Sequence, residues 1–316
     1  MKIAVLDWYT VNVSGDIPTS QLEELGDVKI IPLTPPEETA ANIGDAEIVL
    51  CNKVLITKEV MDTCPNIRYI GLFATGFNNV DIEYAAKKGI TVCNAGQYST
   101  NAVAQQVFAY ILDHANRIRN YDNAVKNGEW EHSPSFSYFP VPTAELAGKT
   151  LSIIGFGSIG RKVAEIAAAF GMNIIISTRT APTDCRFEVT DLMSAAARAD
   201  YLTFHCPLTE QTRGMVNSQL LSAIKPTAVL INTSRGPVVN EADLAYALNS
   251  GKLAAAYLDV LEKEPMSPDT PLKSAKNCTI TPHTAWAALE TRRRLVDIVC
   301  SNIKAWLSGA PQNKVN

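Results

Sequence analysis

The chain has 316 residues, which is long for one hydrophobic core and sufficient for two. Its composition, 47% hydrophobic and 19% charged, is that of an ordinary globular protein, so a disordered or low-complexity chain is excluded. The formal net charge of −4 gives no electrostatic footprint for nucleic acid or an anionic membrane, although a local basic pocket for a small anion is still allowed.

No targeting or membrane segment is predicted. The apolar run that begins the chain is too short for a signal peptide and ends at Asp7. No stretch approaches the roughly 18 uninterrupted apolar residues of a membrane span. The 7 cysteines are scattered, odd in number and never spaced C-x-x-C. We therefore expect no metal site, no disulfide framework and a cytoplasmic location.

Short apolar runs alternate with helical patterns from end to end, which indicates an α/β protein with parallel sheets. Among the first hundred residues, the helical segment Asp81–Lys88 can be capped by Asp81 and ended by Gly89. The strands predicted there are Lys2–Leu6, Val28–Ile31, Glu47–Leu50, Tyr69–Phe73 and Thr91–Cys93.

A long helix and an aromatic loop follow this first series. Apolar residues recur at helical spacing across Asn101–Lys126, which predicts one helix. They are Val103, Val107, Tyr110, Ile111 and Ile118. The segment Trp130–Pro142 then carries four aromatic residues and three prolines without a periodic pattern. It is either a loop folded onto its own domain or an arm at a subunit interface, where loop aromatics often act as anchors.

A second series of strands begins after Gly148. Six apolar runs joined by helices match a doubly wound, dinucleotide-binding sheet. The strands predicted in this series are Thr150–Ile154, Asn173–Ser177, Tyr201–Phe204, Ala228–Ile231, Ala254–Leu258 and Thr279–Thr281.

The first strand of the second series is followed by the spacing G-x-G-x-x-G. The motif is weak alone, but here it follows an apolar strand and opens a helix with an apolar face. Gly155 permits the tight turn, Gly157 lets a pyrophosphate approach the backbone, and Gly160 lets helix and strand pack closely. The amides of Ser158 and Ile159 then point at phosphate from a helix N-terminus. The alternative is a glycine-rich turn with no ligand.

The position that reads the cofactor ribose comes after the second strand of this series. An NAD site usually has Asp or Glu there, but no acid occurs between Asn173 and Thr183. Ser177, Thr178 and Arg179 stand there instead and could donate hydrogen bonds to a 2′-phosphate. The sequence therefore favours NADP over NAD, unless Arg179 merely points into solvent.

Only four histidines are present, so a catalytic histidine has few places to be. His114 falls in the long helix and His132 in the aromatic loop. His205 and His283 each follow a strand of the second series. Ligands of doubly wound sheets bind beyond the carboxyl ends of the strands, so both of these histidines are eligible.

An arginine and a carboxylate favour His283 over His205. Arg235 follows one strand, beside Gly236, which allows a close approach, and the next strand is followed by three carboxylates, Asp259, Glu262 and Glu264. Carbonyl reduction by hydride creates an alkoxide that must gain a proton, and histidine can supply it near neutral pH. A carboxylate stabilises the imidazolium, and the arginine fork can pair with a carboxylate and polarise a carbonyl.

At these residues the chain resembles, over essentially its whole length, the D-isomer-specific 2-hydroxyacid dehydrogenases. Four ordered segments carry the family's signatures, namely Gly155–Gly160, Asn232–Gly236, Leu258–Pro265 and Thr281–His283. The resemblance implies an NAD(P)-dependent oxidoreductase that interconverts a small 2-oxo acid and the matching D-2-hydroxy acid. No nucleic-acid or membrane partner is expected, and a homodimer through the nucleotide domain is implied.

The resemblance also implies residue roles. Arg235 would bind substrate, Glu264 would orient the histidine and His283 would be the acid/base. Asp259 would hold the nicotinamide carboxamide. The substrate carboxylate would be gripped by the backbone amides of Ala74, Thr75 and Gly76. The residues expected near the cofactor at neighbouring strand exits are Cys206, Pro207 and Thr233.

Two segments resemble the glycerate dehydrogenase (hydroxypyruvate reductase) branch, namely Ala74–Asp81 and Thr284–Ala287. Hydroxypyruvate and D-glycerate are therefore the expected pair of substrates. Trp286 departs from the small residues common in the family, and it either narrows the pocket or packs in the core. Lys53 either reaches the far end of the substrate or is only solvated.

The family fold has two domains. It implies a Rossmann NAD(P)-binding domain over residues 100–284, with the aromatic arm at 130–142. A smaller, discontinuous, flavodoxin-like substrate domain would comprise residues 1–99 and 285–316. The pattern alone gives no hint of this return crossing.

Other functions remain open on this sequence. Transcriptional corepressors share the fold, so the chain could instead be a dinucleotide-sensing binding protein. It could also be a dehydrogenase for another 2-hydroxy acid. A formate dehydrogenase is expected to carry glutamine in place of Glu264, so the carboxylate argues against that enzyme. Phosphoglycerate dehydrogenases often carry an additional regulatory domain, for which we expect no room in this chain.

Overall fold

The structure, a computed structural model, describes residues 1–180, 182–183 and 185–316. The chain divides into two compact units. Unit 1 comprises Met1–Ser99 and Trp286–Asn316, and unit 2 comprises Thr100–Ala285. No helix in the described ranges is long and apolar enough to cross a membrane.

Strands and helices alternate along the described residues. The strands are β1 (Lys2–Val5), β2 (Asp27–Ile30), β3 (Ile48–Cys51), β4 (Tyr69–Leu72), β5 (Thr91–Cys93), β6 (Thr150–Ile154), β7 (Asn173–Ser177), β8 (Glu188–Val189), β9 (Tyr201–Phe204), β10 (Val229–Asn232), β11 (Ala255–Leu258) and β12 (Cys278–Ile280). The α-helices are α1 (Ser20–Glu23), α2 (Thr39–Ile43), α3 (Lys58–Thr63), α4 (Ile82–Lys87), α5 (Thr100–Asn116), α6 (Ile118–Lys126), α7 (Ser158–Ala169), α8 (Leu192–Arg198), α9 (Ser218–Ala223), α10 (Glu241–Asn249) and α11 (Leu289–Leu307).

Unit 1 is built on a five-stranded parallel sheet in the order β2-β1-β3-β4-β5, which is the flavodoxin-like order. Its central strands are buried on both faces, as their unbroken apolar runs require. On β1, Ile3 and Val5 pack with α11 in one core cluster, while Ala4 packs in the cluster on the opposite face.

Unit 2 is built on a seven-stranded parallel sheet in the order β12-β11-β10-β9-β6-β7-β8. Alternate residues of its central strands again enter two cores. On β10, Val229 and Ile231 join one cluster and Leu230 joins the other. Two parallel sheets flanked by helices confirm the predicted fold class, a Rossmann sheet together with a flavodoxin-like sheet.

The predicted strands are confirmed, because all eleven are present with ends within one residue of the predicted ones. The structure adds β8, which the sequence did not predict. This strand has two residues, Glu188 and Val189, and both are exposed at the edge of the sheet. A two-residue exposed strand carries no apolar pattern, so its sequence gave no signal.

The prediction of one helix over Asn101–Lys126 was wrong. Arg117 adopts a left-handed conformation, with φ of 53°, and separates α5 from α6. Its amide closes α5 on the Asp113 carbonyl. Because the break turns the second helix, Ile118 is 67% exposed instead of lying on the buried face. The apolar spacing runs across the break, so it could not reveal the break.

The aromatic arm at 130–142 contains no helix or strand. It is folded on itself, since Trp130 Nε1 donates to the Phe136 carbonyl at 3.1 Å and Tyr138 donates to Glu129 at 2.9 Å. The rings of Phe136 and Phe139 are nevertheless 90% and 79% exposed. The arm is therefore anchored by polar contacts and presents its phenyl rings outward.

Candidate active site at the carboxyl edge of the unit 2 sheet

Five neighbouring strands bring the candidate residues of unit 2 to one edge. β12, β11, β10, β9 and β6 are adjacent and parallel, so the residues that follow them lie side by side. These residues are Gly155 after β6, His205 after β9, Arg235 after β10, Asp259 after β11 and His283 after β12.

The glycine-rich turn after β6 is shaped by close packing at two glycines and open space at the third. A Cβ on Gly155, whose φ is 96°, would lie 2.7 Å from the Cys206 amide nitrogen. A Cβ on Gly160 would lie 2.3 Å from the Gly155 carbonyl oxygen. A Cβ on Gly157 would meet nothing within 4 Å. Only the middle glycine therefore leaves room for a ligand against the backbone.

This turn fits the pyrophosphate of a dinucleotide. α7 starts at Ser158, directly after the open Gly157, and the first amides of a helix have no partners within it. Such amides, together with the helix dipole, bind phosphate. Ser177 closes the turn, because its carbonyl accepts from the Gly155 amide at 2.8 Å. Thr178 beside it is partly exposed and Arg179 is exposed, so both side chains are accessible to a ligand.

The exits of β9 and β10 carry the other predicted cofactor contacts. Thr233 Oγ1 is buried and has no hydrogen-bond partner among the described residues, as expected of a hydroxyl that is meant for a ligand. The Pro207 carbonyl accepts from Thr212 Oγ1 at 2.7 Å, which fixes the turn after β9. Cys206 is half-buried beside Met215, and burial raises the pKa of its thiol.

The imidazole and the carboxylate predicted to act together are in direct contact. His283 Nδ1 lies 2.7 Å from Glu264 Oε2. The other carboxylate oxygen, Oε1, accepts from the Leu261 amide at 3.0 Å, which fixes the carboxylate. Because Nδ1 faces Glu264, Nε2 is the ring nitrogen available to a substrate.

The turn that presents His283 is held by Asp259. His283 has a φ of 54°, which non-glycine residues rarely adopt, so the turn needs support. Its amide donates to the Asp259 carbonyl at 2.8 Å. The buried Asp259 carboxylate accepts from the amides of Thr284 and Ala285, each at 2.9 Å, and from the Thr281 hydroxyl. The contact between Asp259 and the nicotinamide stays a prediction.

The turn that presents Arg235 is held by Asn232. This buried side chain donates to the Arg235 carbonyl at 2.9 Å and accepts from the amide and hydroxyl of Ser234. The Arg235 guanidinium donates to the Ser234 carbonyl at 2.7 Å. A Cβ on Gly236 would lie 1.8 Å from the Leu261 carbonyl oxygen, so the close approach predicted at this glycine is made by the chain itself.

Two other histidines, His205 at this edge and His114 on α5, have lowered pKa values. Burial lowers the pKa of His205 to about 3, and its Nε2 lies 3.0 Å from Thr203 Oγ1. Burial and the neighbouring Arg117 lower the pKa of His114 to about 4. Both are therefore neutral at pH 7 and hold no proton to donate from an imidazolium, which favours His283 as the acid.

In unit 1, the predicted carboxylate loop follows β4. The Ala74 carbonyl accepts from the Ala95 amide at 2.8 Å, and the Thr75 carbonyl accepts from Asn94 Nδ2 at 2.7 Å. In a trans peptide the N–H points opposite to the C=O, so the amides of Thr75 and Gly76 face away from these partners. Two neighbouring amides that face the same way form a concavity suited to an anion.

Lys53 lies on a turn that is held by a buried carboxylate. Asp7 accepts hydrogen bonds from the consecutive amides of residues 52–54, including that of Lys53 at 2.7 Å. Burial raises the pKa of Asp7, although these hydrogen bonds oppose the shift. The Lys53 side chain itself is exposed.

Trp286 is partly buried in unit 1. Its indole packs against the core cluster that contains α11 and meets Tyr98 edge-on, with ring centroids 6.1 Å apart. This contact favours core packing, the second of the two roles considered for Trp286.

Sequence reasoning missed the supporting residues. Asn232, Thr281 and Asn94 each hold a turn by side-chain hydrogen bonds, and none was singled out. The available signal was position, because Asn232 ends β10, Asn94 follows β5 and Thr281 follows β12. Asn and Thr side chains at such places commonly form local hydrogen bonds.

Comparison with known proteins decides the family. The family model for the NAD binding domain of the D-isomer specific 2-hydroxyacid dehydrogenases matches residues 108–285, which is more than half of the chain. The chain belongs to this dehydrogenase family. It is an NAD(P)-dependent oxidoreductase that acts on 2-hydroxy acids, as predicted.

Two curated relatives illustrate the similarity of this dehydrogenase. It is 42% identical over 325 aligned positions to the hydroxypyruvate reductase of Blautia hydrogenotrophica, with 100% of both chains covered. It is 36% identical to the glycerate dehydrogenase of Methylorubrum extorquens, covering 89% of this chain and 88% of the relative.

A solved structure shows the same similarity as these two relatives. The dehydrogenase superposes with a TM-score of 0.83 on the NADPH-dependent glyoxylate/hydroxypyruvate reductase of Sinorhizobium meliloti, solved with NADP and malonate. The sequences are 31% identical, and 99% and 96% of the two chains are covered.

Proposed function

We propose that this dehydrogenase reduces hydroxypyruvate to D-glycerate, with His283 as the proton donor. The observation that carries the proposal is the 2.7 Å contact between His283 and Glu264, on the same sheet edge as Arg235 and the dinucleotide turn. The choice of substrate is supported by the full-length similarity to a hydroxypyruvate reductase.

The side chains would divide the reaction as follows. When bound, the reduced nicotinamide supplies the hydride that attacks C2 of the 2-oxo acid. The guanidinium of Arg235 pairs with the substrate carboxylate and polarises the carbonyl. Protonated His283 gives its Nε2 proton to the developing alkoxide. Glu264 accepts the hydrogen bond from Nδ1 and stabilises the imidazolium.

Further predicted residues would contribute to substrate binding. The amides of Thr75 and Gly76 are suited to the substrate carboxylate by their direction. Lys53 is exposed on a well-held turn and would meet the hydroxymethyl end of hydroxypyruvate. Trp286 would act indirectly, through packing in the core.

A panel of short 2-oxo acids tests the proposal. Hydroxypyruvate, glyoxylate and pyruvate are assayed with NADH and NADPH, for the wild type and for His283→Ala. We expect the wild type to have its highest kcat/KM with hydroxypyruvate. In His283→Ala, kcat should be about 10²- to 10⁴-fold lower, whereas cofactor affinity should be unchanged. Absence of reduction by the wild type would refute the activity, whereas an active variant would refute only the role of His283.

The preferred cofactor is proposed to be NADPH. Ser177, Thr178 and Arg179 offer donors and no carboxylate where a 2′-phosphate would lie. Arg179→Ala should weaken NADPH binding by ~1–3 kcal/mol and leave the affinity for NADH unchanged. Thr178→Asp should reverse the preference, because it adds a ribose acceptor and a charge that repels the phosphate. The measurement is the ratio of kcat/KM for the two cofactors, and a wild type that prefers NADH would contradict the proposal.

The assembly and location are proposed as a cytoplasmic homodimer. The exposed rings of Phe136 and Phe139 support a subunit contact through the arm, because large apolar groups left in water favour association. The cysteines are free, as in proteins of a reducing compartment.

A further inference from the structure

Three asparagines in unit 1 form a chain of hydrogen bonds that ends at the carboxylate loop. Asn313 Nδ2 donates to Asn302 Oδ1 at 2.9 Å. The buried Asn302 in turn donates to the Asn94 carbonyl at 2.8 Å. Asn94 Nδ2 then donates to the Thr75 carbonyl at 2.7 Å. The chain thus runs from the segment after α11 to the loop after β4.

Asn94 is the branching point of this chain. All four of its polar groups are used, since its amide donates to the Asn313 carbonyl and its Oδ1 accepts from the Gly96 amide at 3.0 Å. A side chain held at both backbone groups and at Oδ1 has one orientation, and Nδ2 is then aimed at Thr75. Thr75 adds a second tie, from its Oγ1 to the Gly96 carbonyl at 2.5 Å.

The direction of one peptide depends on Asn94. The Thr75 carbonyl and the Gly76 N–H belong to the same trans peptide and point in opposite directions. While Asn94 holds the carbonyl, the N–H must face the other side, together with the N–H of Thr75. If that peptide rotated, the anion site would lose a donor and gain a carbonyl oxygen.

We infer that Asn94, braced by Asn302, is a positioning residue that sets the direction of the Thr75–Gly76 peptide and so determines affinity for the carboxylate of the 2-oxo acid. This inference rests on the proposed function for the identity of the ligand. The geometry requires no contact between Asn94 and the substrate.

The test is Asn94→Asp, which keeps the Oδ1 acceptor for Gly96 and replaces the Nδ2 donor with an oxygen. The new oxygen repels the Thr75 carbonyl and attracts the Gly76 N–H, so the peptide should rotate. We expect KM for hydroxypyruvate to rise about tenfold or more, with kcat and KM for NADPH unchanged. General destabilisation would instead lower kcat through the active fraction and leave KM unchanged.

Two further variants complete the design. Thr75→Val removes the tie to Gly96 and should raise the same KM in a chain that keeps Asn94. Asn173→Asp is the matched control, because it removes a bond of the same kind, from Asn173 Nδ2 to the Gly148 carbonyl at 2.9 Å, in unit 2. Its KM should equal that of the wild type, and thermal unfolding checks that all variants are folded.

Binding of oxamate, an unreactive analogue of a 2-oxo acid, separates this inference from the proposed activity. Calorimetry with the NADPH-loaded protein should show about tenfold weaker oxamate binding in Asn94→Asp. A wild type that binds oxamate through Asn94 but reduces no 2-oxo acid would refute the activity and uphold the inference. Equal oxamate affinity and KM in wild type and variant, or no oxamate binding by the wild type, would overturn the inference.

Discussion

The charge of Glu264 should set the pH dependence of the reaction. Reduction of the carbonyl needs imidazolium at His283, and the carboxylate 2.7 Å from Nδ1 stabilises that form. Glu264→Gln keeps an oxygen for the Leu261 amide and removes the charge. Loss of that charge should therefore move the alkaline limb of the reduction profile to lower pH.

The measurement is kcat/KM against pH in both directions. Oxidation of the hydroxy acid needs neutral His283, so it should persist to lower pH in the variant. Glu262→Gln is the control, because Glu262 is an exposed carboxylate two residues away and should leave both profiles unchanged. If Glu264→Gln also left both profiles unchanged, the charge of Glu264 would have no part in proton transfer.

At the scale of single residues, the sequence predicted the side chains that follow strands. It missed the side chains whose hydrogen bonds hold the turns there. Arg235 and His283 could be placed at one edge because parallel strands bring their exits together whatever the detailed turns are, whereas Glu264 was chosen among the carboxylates of the next exit by the family resemblance. The bonds of Asn232 and Asp259 depend on turn conformations such as the positive φ of His283. Those conformations are set by packing and leave no mark in spacing or composition.

Two turns need glycine for opposite reasons. One is the glycine-rich turn after β6, which contains Gly157, and the other is the turn after β10, which contains Arg235 and Gly236. At Gly236 the neighbouring exit presses on the backbone, since an added Cβ would lie 1.8 Å from the Leu261 carbonyl. At Gly157 the space is open. The same substitution should therefore damage the fold at one turn and only the ligand site at the other.

Gly236→Ala and Gly157→Ala form a matched pair that tests this distinction. Gly236→Ala should lower the free energy of unfolding by about 4 kcal/mol or more, because neither backbone segment can yield. Gly157→Ala should unfold like the wild type but bind NADPH about tenfold or more weakly, since its methyl stands between pyrophosphate and the helix amides. Denaturant unfolding and cofactor titration measure the two effects. A destabilised Gly157→Ala with normal affinity would contradict the assignment of the turn.

Elements were predictable where burial imposes a pattern. The central strands β3, β4 and β11 are apolar along their whole length because both faces are covered, and their bounds followed from that. The break at Arg117 and the exposed β8 lie outside this rule. A left-handed residue between two helices changes which face is buried without interrupting the apolar spacing.

At the scale of the whole molecule, the arm at 130–142 presents apolar surface that one chain alone leaves in water. The sequence could not decide between a loop on its own domain and an interface arm, because both need aromatic residues. The structure supplies the exposure of Phe136 and Phe139, and unit 2 also leaves Ile118 and Val125 exposed on α6. A second copy of the chain is the partner we expect on this surface.

Phe136→Ser combined with Phe139→Ser should weaken the homodimer. Both rings are exposed, so the fold of one chain should be unaffected, while burial of each ring against a partner would contribute about 1.5–3 kcal/mol. We expect sedimentation equilibrium to give twice the chain mass of 34.3 kDa for the wild type and a dissociation constant at least about a hundredfold higher for the variant. Tyr246→Ser, which removes an exposed aromatic ring on α10, is the control and should remain dimeric. A monomeric wild type, or a variant that dimerises as tightly as the control, would show that the arm folds only onto its own chain.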